Sequence, residues 1–338
     1  MVAADYQSAV RAGTMAAARL HQELGLRHQI EAAGGNIDVF AAIHALDLPL
    51  LVRPLQGLLG AYLSDPAPGV LVTTQRPMSI QRFTAAHELG HFRLRHQPSL
   101  DDEENILRRM PLQVPPGGDF QEVEANAFAA EFMMPRWLIA WHTVRQGWTA
   151  ADFQQPNVVY QLSLRIGASY EATCWTLARQ RLILSTDVQS LLRAQPREMK
   201  IALLEAYRPQ DYRGDVWLLT ERDAGAKIDG SRNDLFVLRL QEHSGGGYLW
   251  NIDQLKESGF AVVRDDLQII DAEGIGGPTI RHVTAAPPDT YRGQLAIDER
   301  RPWAPDPPLT TLTVELDLTG PEQEGFSRAE RRRLLEAA

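Results

Sequence analysis

Apolar residues recur three and four apart through residues 6–32, around Leu20, Leu24 and Leu26, which predicts a helix. "GGNIDVFAAIHALDLP" opens on a turn and predicts a second helix that stops before Pro49. The next runs, "LPLLVRP", "LGAYLSD" and "GVLVTT", are short, apolar and cut by Pro, Gly and Asp, so they predict small strands. Residues 80–96 return to a helical pattern. The segment 98–120 contains "PSLDDEEN" and "PLQVPPGGD" and is expected to be a loop with at most a short helix. "QEVEANAFAAEFMMP" predicts a strong helix ended by Pro135, and residues 136–205 stay mostly helical. Near residue 207 the texture changes. "RPQDYRGD" reads as a linker, and the segments that follow, such as "DVWLLTERDAGAKI", "FAVVRDD" and "LTTLTVELDL", alternate and are parted by Gly, Asp, Asn and Pro. Six or more strands at this spacing predict a β-sandwich of about 100 residues. The tail "SRAERRRLLEAA" predicts a short helix, with Ser327 and Glu330 at capping-box spacing.

These patterns describe an α+β multidomain chain. Its expected parts are an α+β domain over 1–140, a helical segment over 141–206, an all-β sandwich over 207–320 and a helical tail over 321–338. Composition refines this only slightly. The 338 residues are 44% hydrophobic and 23% charged, ordinary globular values with room for two or three domains. A net charge of −9 argues against a dedicated nucleic-acid binder. The single cysteine, Cys174, excludes an intramolecular disulfide and fits a reducing compartment. Its neighbours Thr173, Trp175 and Leu177 predict a buried, inert thiol. The first twenty residues have no continuous apolar core after a basic start, so no secretory signal is expected. No stretch approaches the ~20 apolar residues that span a membrane. The expected location is the cytoplasm.

Candidate chemistry concentrates in "TAAHELGHFRLRH" (84–96). His87 and His91 are four apart, on one face of a helix, where both imidazoles can reach one tetrahedral ion. Glu88, one step round, is placed to act as a general base without ligating the ion. Two histidines on a buried helix can also simply bond carbonyls, so a third ligand decides the question. A third histidine six residues after His91 is excluded, because Gln97 occupies that position and His96 falls one residue early. The following helix offers Glu122, Glu124 and Glu131. Glu122 has Asn126 one turn later, able to hydrogen-bond a ligand histidine, whereas Glu124 is followed by Phe128 in a core stripe. Glu122 is therefore the expected ligand, with Glu124 the alternative. One zinc ion is the expected cofactor. In such a site zinc acidifies its water, Glu88 moves the proton to the leaving amine, and the carbonyl oxygen is polarised by the ion. "GVLVTT" is expected to be an edge strand to which a protein substrate adds. His96 and Arg82 are candidates for a substrate or transition-state contact.

"RFTAAHELGHFRLRH" followed by "EVEANAFAAEFMMP" resembles the ImmA/IrrE family of bacterial metallopeptidases, over about residues 8–185. The resemblance rests on Arg82-Phe83-Thr84 before the HExxH, a histidine shortly after it, and the E-x-x-A-N-x-F-A-A run closing in Met134-Pro135. It implies a compact gluzincin-like fold, zinc held by His87, His91 and Glu122, and Glu88 as acid/base. It also implies a repressor of the helix-turn-helix kind as substrate. His96 sits one residue later than the family pattern. Residues 158–183 resemble a helix-turn-helix, which IrrE-like relatives carry in this place. Arg165, Arg179 and Arg181 form no cluster of phosphate-binding size, which argues against DNA as a partner.

The β-region, over about 214–320, resembles the chagasin family, Ig-like inhibitors of papain-type cysteine peptidases. Gly246-Gly247-Tyr248-Leu249-Trp250 matches the first binding loop, Gly274, Gly276 and Gly277 the second, and Arg301-Pro302-Trp303 the third. "HSGGGY" stands where the family has an asparagine-proline and threonine run. The β-region is expected to be a binding module that docks a protein or a sensed ligand through loops near 244–248, 274–279 and 301–306. Two readings compete with a zinc endopeptidase carrying such a module. One is a non-catalytic metal-binding regulator. The other is a bifunctional protein whose β-domain inhibits cysteine peptidases.

Overall fold

The structure, a computed structural model, describes residues 2–65, 67–97, 99–102, 120–269, 279–289, 291–304 and 306–336. The N-terminal periodic stretch forms α1 (Val2–Glu23) and α2 (Leu26–Ala33), divided at Leu24-Gly25. Helix α3 (Val39–Ala45) follows, capped by Asp38, whose carboxylate accepts from the Ala41 N–H. The three short apolar runs become β1 (Leu50–Arg53), β2 (Leu58–Leu63) and β3 (Gly69–Thr73). Then come α4 (Met78–Leu94), β4 (Ser99–Asp102) and α5 (Phe120–Met133).

Helix α4 lies across β2 and β3 on one side and against α5 on the other. Gly90 makes the second contact close: a Cβ there would sit 3.2 Å from Ala125 Cα and from Phe128 Cβ. Leu89, Phe128, Phe132 and Met133 fill the space around this crossing. Each such side chain contributes about 1.5–3 kcal/mol on burial.

Strand order in this sheet is β13-β1-β3-β2-β4, where β13 (Gly325–Phe326) comes from the C-terminal tail. Two expectations are corrected here. "GVLVTT" is not an edge: β3 pairs parallel with β1 and antiparallel with β2. The segment after residue 98 is not all loop, because β4 pairs antiparallel with β2 and ends the sheet among the described residues. Neither "SLDD" nor "GF" has strand character of its own. Both are strands because a partner edge was free to pair. The remainder of the expected loop, 103–119, lies outside the described residues.

The helical segment comprises α6 (Arg136–Gln146), α7 (Pro156–Ile166), α8 (Tyr170–Arg179), α9 (Ser185–Leu191) and α10 (Pro196–Leu204). Val159, Leu162, Ile166, Cys174, Leu177 and Leu191 belong to the same buried cluster as Phe128 and Leu89. Helices α6 to α9 thus share the core of the sheet and α4, whereas Met199, Leu203 and Leu204 of α10 cluster with Val216 and Val237. Burial pushes the Cys174 thiol up to about 12, the inert state read from its neighbours.

The C-terminal region is a sandwich of two four-stranded sheets. One is ordered β5 (Val216–Leu219), β7 (Leu235–Glu242), β10 (Thr279–Ala286), β9 (Ala261–Ile269). The other is β6 (Ala226–Asp229), β12 (Thr310–Asp317), β11 (Arg292–Arg300), β8 (Leu249–Trp250). Trp217, Phe236, Leu238, Trp250, Val283, Leu295, Ile297 and Val314 pack between them. A short helix, α11 (Asp253–Glu257), closes one end.

Polar contacts tie the sandwich to the rest. Buried Arg165 pairs with buried Asp223 at 2.9 Å, and Gln161 bonds the backbone of Val216 and Leu218. After β12 the chain returns to the first sheet. Gln81 on α4 exchanges two hydrogen bonds with the Glu322 backbone before β13 pairs with β1. The predicted tail helix is α12 (Arg328–Glu336), with the Glu330 N–H on Ser327 Oγ at 3.3 Å.

One buried group sets a pH dependence. Burial, and then repulsion from Arg165, pushes the His142 imidazole on α6 down to about 3. The folded pKa is depressed below the unfolded value, so the stability it confers is complete above about pH 6.5 and is lost as pH falls toward 3. Urea denaturation should show about 2 kcal/mol lost between pH 6.5 and 5 from this group. The His142→Gln variant should lack that increment, and a variant with the wild-type slope would remove His142 as its cause.

Candidate metal centre

Helix α4 begins after Pro77, and its centre is buried on nearly every side. His87, Glu88 and His91 are fully enclosed. Burying these polar groups is costly unless they meet partners or an ion. Glu122, in the first turn of α5, is brought against both histidines by the close crossing at Gly90. His87 Nε2 and His91 Nε2 stand 3.0 Å apart, and each lies 3.4 Å from an oxygen of Glu122. Among the described residues these three form the one His/Cys/Asp/Glu group able to hold a metal ion, with donor atoms within 4.8 Å of one another.

The donor set fits a divalent ion of the zinc type. Two ligands about 2.0–2.1 Å from a tetrahedral ion stand roughly 3.4 Å apart, close to the spacings found. The outer ring nitrogens agree. His87 Nδ1 lies 3.1 Å from Asn126 Oδ1, so its N–H donates there and the Nε2 lone pair faces inward. His91 Nδ1 lies 3.0 Å from Nδ1 of His96. Asn126 thus lies within hydrogen-bond reach of His87.

Glu124, the alternative ligand, is not in the cluster. Its carboxylate faces away along α5 and accepts from His96 Nε2 at 2.8 Å. That contact also redirects His96. With both ring nitrogens engaged and the residue buried, it offers no nitrogen to a substrate. Arg82 is likewise committed elsewhere. Its buried guanidinium holds Asp229 of β6 at 2.8 Å, fixing the sandwich against the start of the HExxH helix.

One residue at the centre escaped the sequence reading. Gly60, in the middle of β2, lets the sheet approach α4 at Glu88. A Cβ there would lie 2.5 Å from Thr84 Cγ2 and 2.7 Å from Glu88 Oε1. A glycine inside an apolar strand run was the available signal.

In the β-domain, two of the three anticipated loops meet. Arg301 donates to the Gly246 carbonyl at 3.0 Å, and its guanidinium lies 4.5 Å from the Tyr248 ring centre. Trp303 packs over Gly247 and remains 71% exposed beside exposed Pro302. Gly274, Gly276 and Gly277 lie outside the described residues, but Thr279, at the end of that stretch, contacts Ser244 of the first loop at 3.1 Å.

A buried HExxH helix crossed by a second helix that supplies a glutamate is the arrangement of a metallopeptidase-type domain. Residues 47–178 match the family model of the IrrE N-terminal-like domain, the M78 peptidases. Amoebiasin-2 of Entamoeba histolytica is 28% identical over 104 residues, spanning 30% of this chain and 84% of that protein. The cysteine protease inhibitor EhICP2 of the same organism is a structural neighbour with 26% identity and a TM-score of 0.26, covering 32% of this chain and 99% of its own. Amebosin, with 22% identity and a TM-score of 0.22, covers 31% and 98%. The pairing of an IrrE-like domain with a chagasin-like module agrees with the motifs read from the sequence.

The Gly60 contact is testable. Gly60→Ala should cost about 1–3 kcal/mol by urea denaturation, the range for overpacking. Adding Thr84→Ser, which removes the nearest methyl, should recover part of that loss. A silent Gly60→Ala would show that β2 does not press on Glu88.

Proposed function

We propose that this chain is a zinc-dependent endopeptidase of the cytoplasm whose substrate is a regulatory protein, of the helix-turn-helix repressor kind. The observation that carries the reading is the convergence of His87 Nε2, His91 Nε2 and the Glu122 carboxylate in a buried site beside Glu88. Zinc, when bound by these three residues, supplies Lewis acidity to a peptide carbonyl and acidifies a water. Glu88 is the proton carrier. It takes a proton from the attacking water and delivers it to the departing amine. A fully buried carboxylate suits that task, because no bulk water competes for the proton. Strand β4, the last strand on the β2 side among the described residues, replaces β3 as the strand to which an extended substrate segment adds.

The β-domain serves this enzyme as a recognition or sensing module. Exposed Trp303, with Tyr248 and Arg301 behind it, provides the aromatic and arginine content of a protein-docking tip. The same tip favours a second reading, inhibition of a papain-like peptidase, the activity named for EhICP2. DNA is not a partner in either reading. Arg165, one of three arginines available for phosphate contacts, is buried against Asp223.

Purified protein should contain about one zinc per chain, and His87→Ala should lose it. Glu88→Gln should keep the metal and lose cleavage of a co-expressed repressor by roughly 10²–10⁴-fold. Full proteolysis by Glu88→Gln would falsify the mechanism. Papain assayed with the full chain separates the two roles of the tip. No inhibition confines it to recognition or sensing.

A further inference from the structure

His96 falls where no ligand spacing calls for a histidine, yet the chain spends a strained residue to bring it back to the site. Helix α4 ends at Arg95, a non-glycine residue in the left-handed region with φ 59° and ψ 42°. That conformation turns the chain so that the His96 N–H bonds the His91 carbonyl at 3.0 Å. The two rings then meet edge to face, with centroids 4.9 Å apart.

With the three imidazoles neutral, one placement of ring hydrogens satisfies the contacts from Glu124 through His96 to His91. Glu124 is acceptor-only when ionised, so His96 Nε2, 2.8 Å away, carries the hydrogen. His96 Nδ1 is then a lone pair, and His91 Nδ1, 3.0 Å from it, must donate. His91 Nε2 is left without a hydrogen, its lone pair directed at His87 Nε2 and Glu122. The reverse arrangement would set the His96 Nε2 lone pair against a carboxylate oxygen. We infer that Glu124, acting through His96, is a positioning pair that locks His91 in the tautomer able to donate Nε2 to a divalent cation. The two ligands are thus supported unequally. His87 is oriented by the neutral amide of Asn126, His91 by an imidazole that is itself held by a charge.

This inference rests on the reading of His87, His91 and Glu122 as metal ligands, but its first test needs no metal. In metal-free protein labelled with ¹⁵N-histidine, long-range ¹H–¹⁵N correlation should show His91 as a single tautomer with hydrogen on Nδ1. In Glu124→Leu and His96→Phe, His91 should become a tautomer mixture. Zinc affinity, measured by competition with a chromogenic chelator, should fall about 10–100-fold in both, the range for lost supporting contacts to a ligand histidine. Glu124→Leu, at a partly exposed position, serves where His96→Phe does not fold. An unchanged tautomer in folded Glu124→Leu, or zinc affinity within twofold of wild type, would overturn the relay. Wild-type protein that shows the single tautomer but binds no zinc would instead sink the ligand assignment.

Discussion

The site depends on one close approach, the crossing of α4 and α5 at Gly90 and Ala125. A Cβ at Gly90 would come within 3.2 Å of Ala125 Cα and Phe128 Cβ, tighter than an ordinary contact, and this proximity sets Glu122 against His87 and His91. The crossing also carries an electrostatic cost. Two carboxylates and two imidazoles are buried between apolar layers, a state that persists only when each group meets a donor, an acceptor or an ion. Asn126, His96 and Glu124 line up behind the histidines for this reason. They satisfy the outward nitrogens, and the inward ones face each other and Glu122.

The β-domain is held by the same helix. Arg82 and Gln81, five and six residues before His87, bind Asp229 of the sandwich and the Glu322 backbone of the returning tail. Strand β13 then completes the sheet on which α4 lies. Any displacement of the sandwich must therefore pull on the N-terminal half of the HExxH helix or break a buried ion pair. The sandwich is in this way mechanically joined to the HExxH helix, while Trp303 at its far tip stays exposed.

Much of this was legible because local rules and global structure agree. The i, i+4 spacing of His87 and His91, the Pro135 stop and the period-two strands beyond residue 214 each carry their physics in a few consecutive residues. Glu122 was distinguishable from Glu124 because Asn126 lies one turn after the first and a core phenylalanine one turn after the second. What misled was pairing across distance. "GVLVTT" looks like an edge strand by composition, yet β1 and β2 flank it. "SLDD" looks like loop, yet it pairs with β2, because strand register and edge status belong to the sheet and not to the segment.

Sequence alone determined the chemistry that can occur here: two imidazoles on one helical face, a carboxylate between them, and a second helix with a glutamate at its start. Those follow from helical periodicity, which is local. Tertiary structure decided how the remaining groups are used. It set Glu124 on His96 rather than beside His87 and His91, turned His96 back through a left-handed Arg95, placed Gly60 under Glu88, and bound Arg82 to the sandwich. Each of these depends on which backbones come within hydrogen-bonding or van der Waals reach, a property that packing creates and no short stretch of chain encodes.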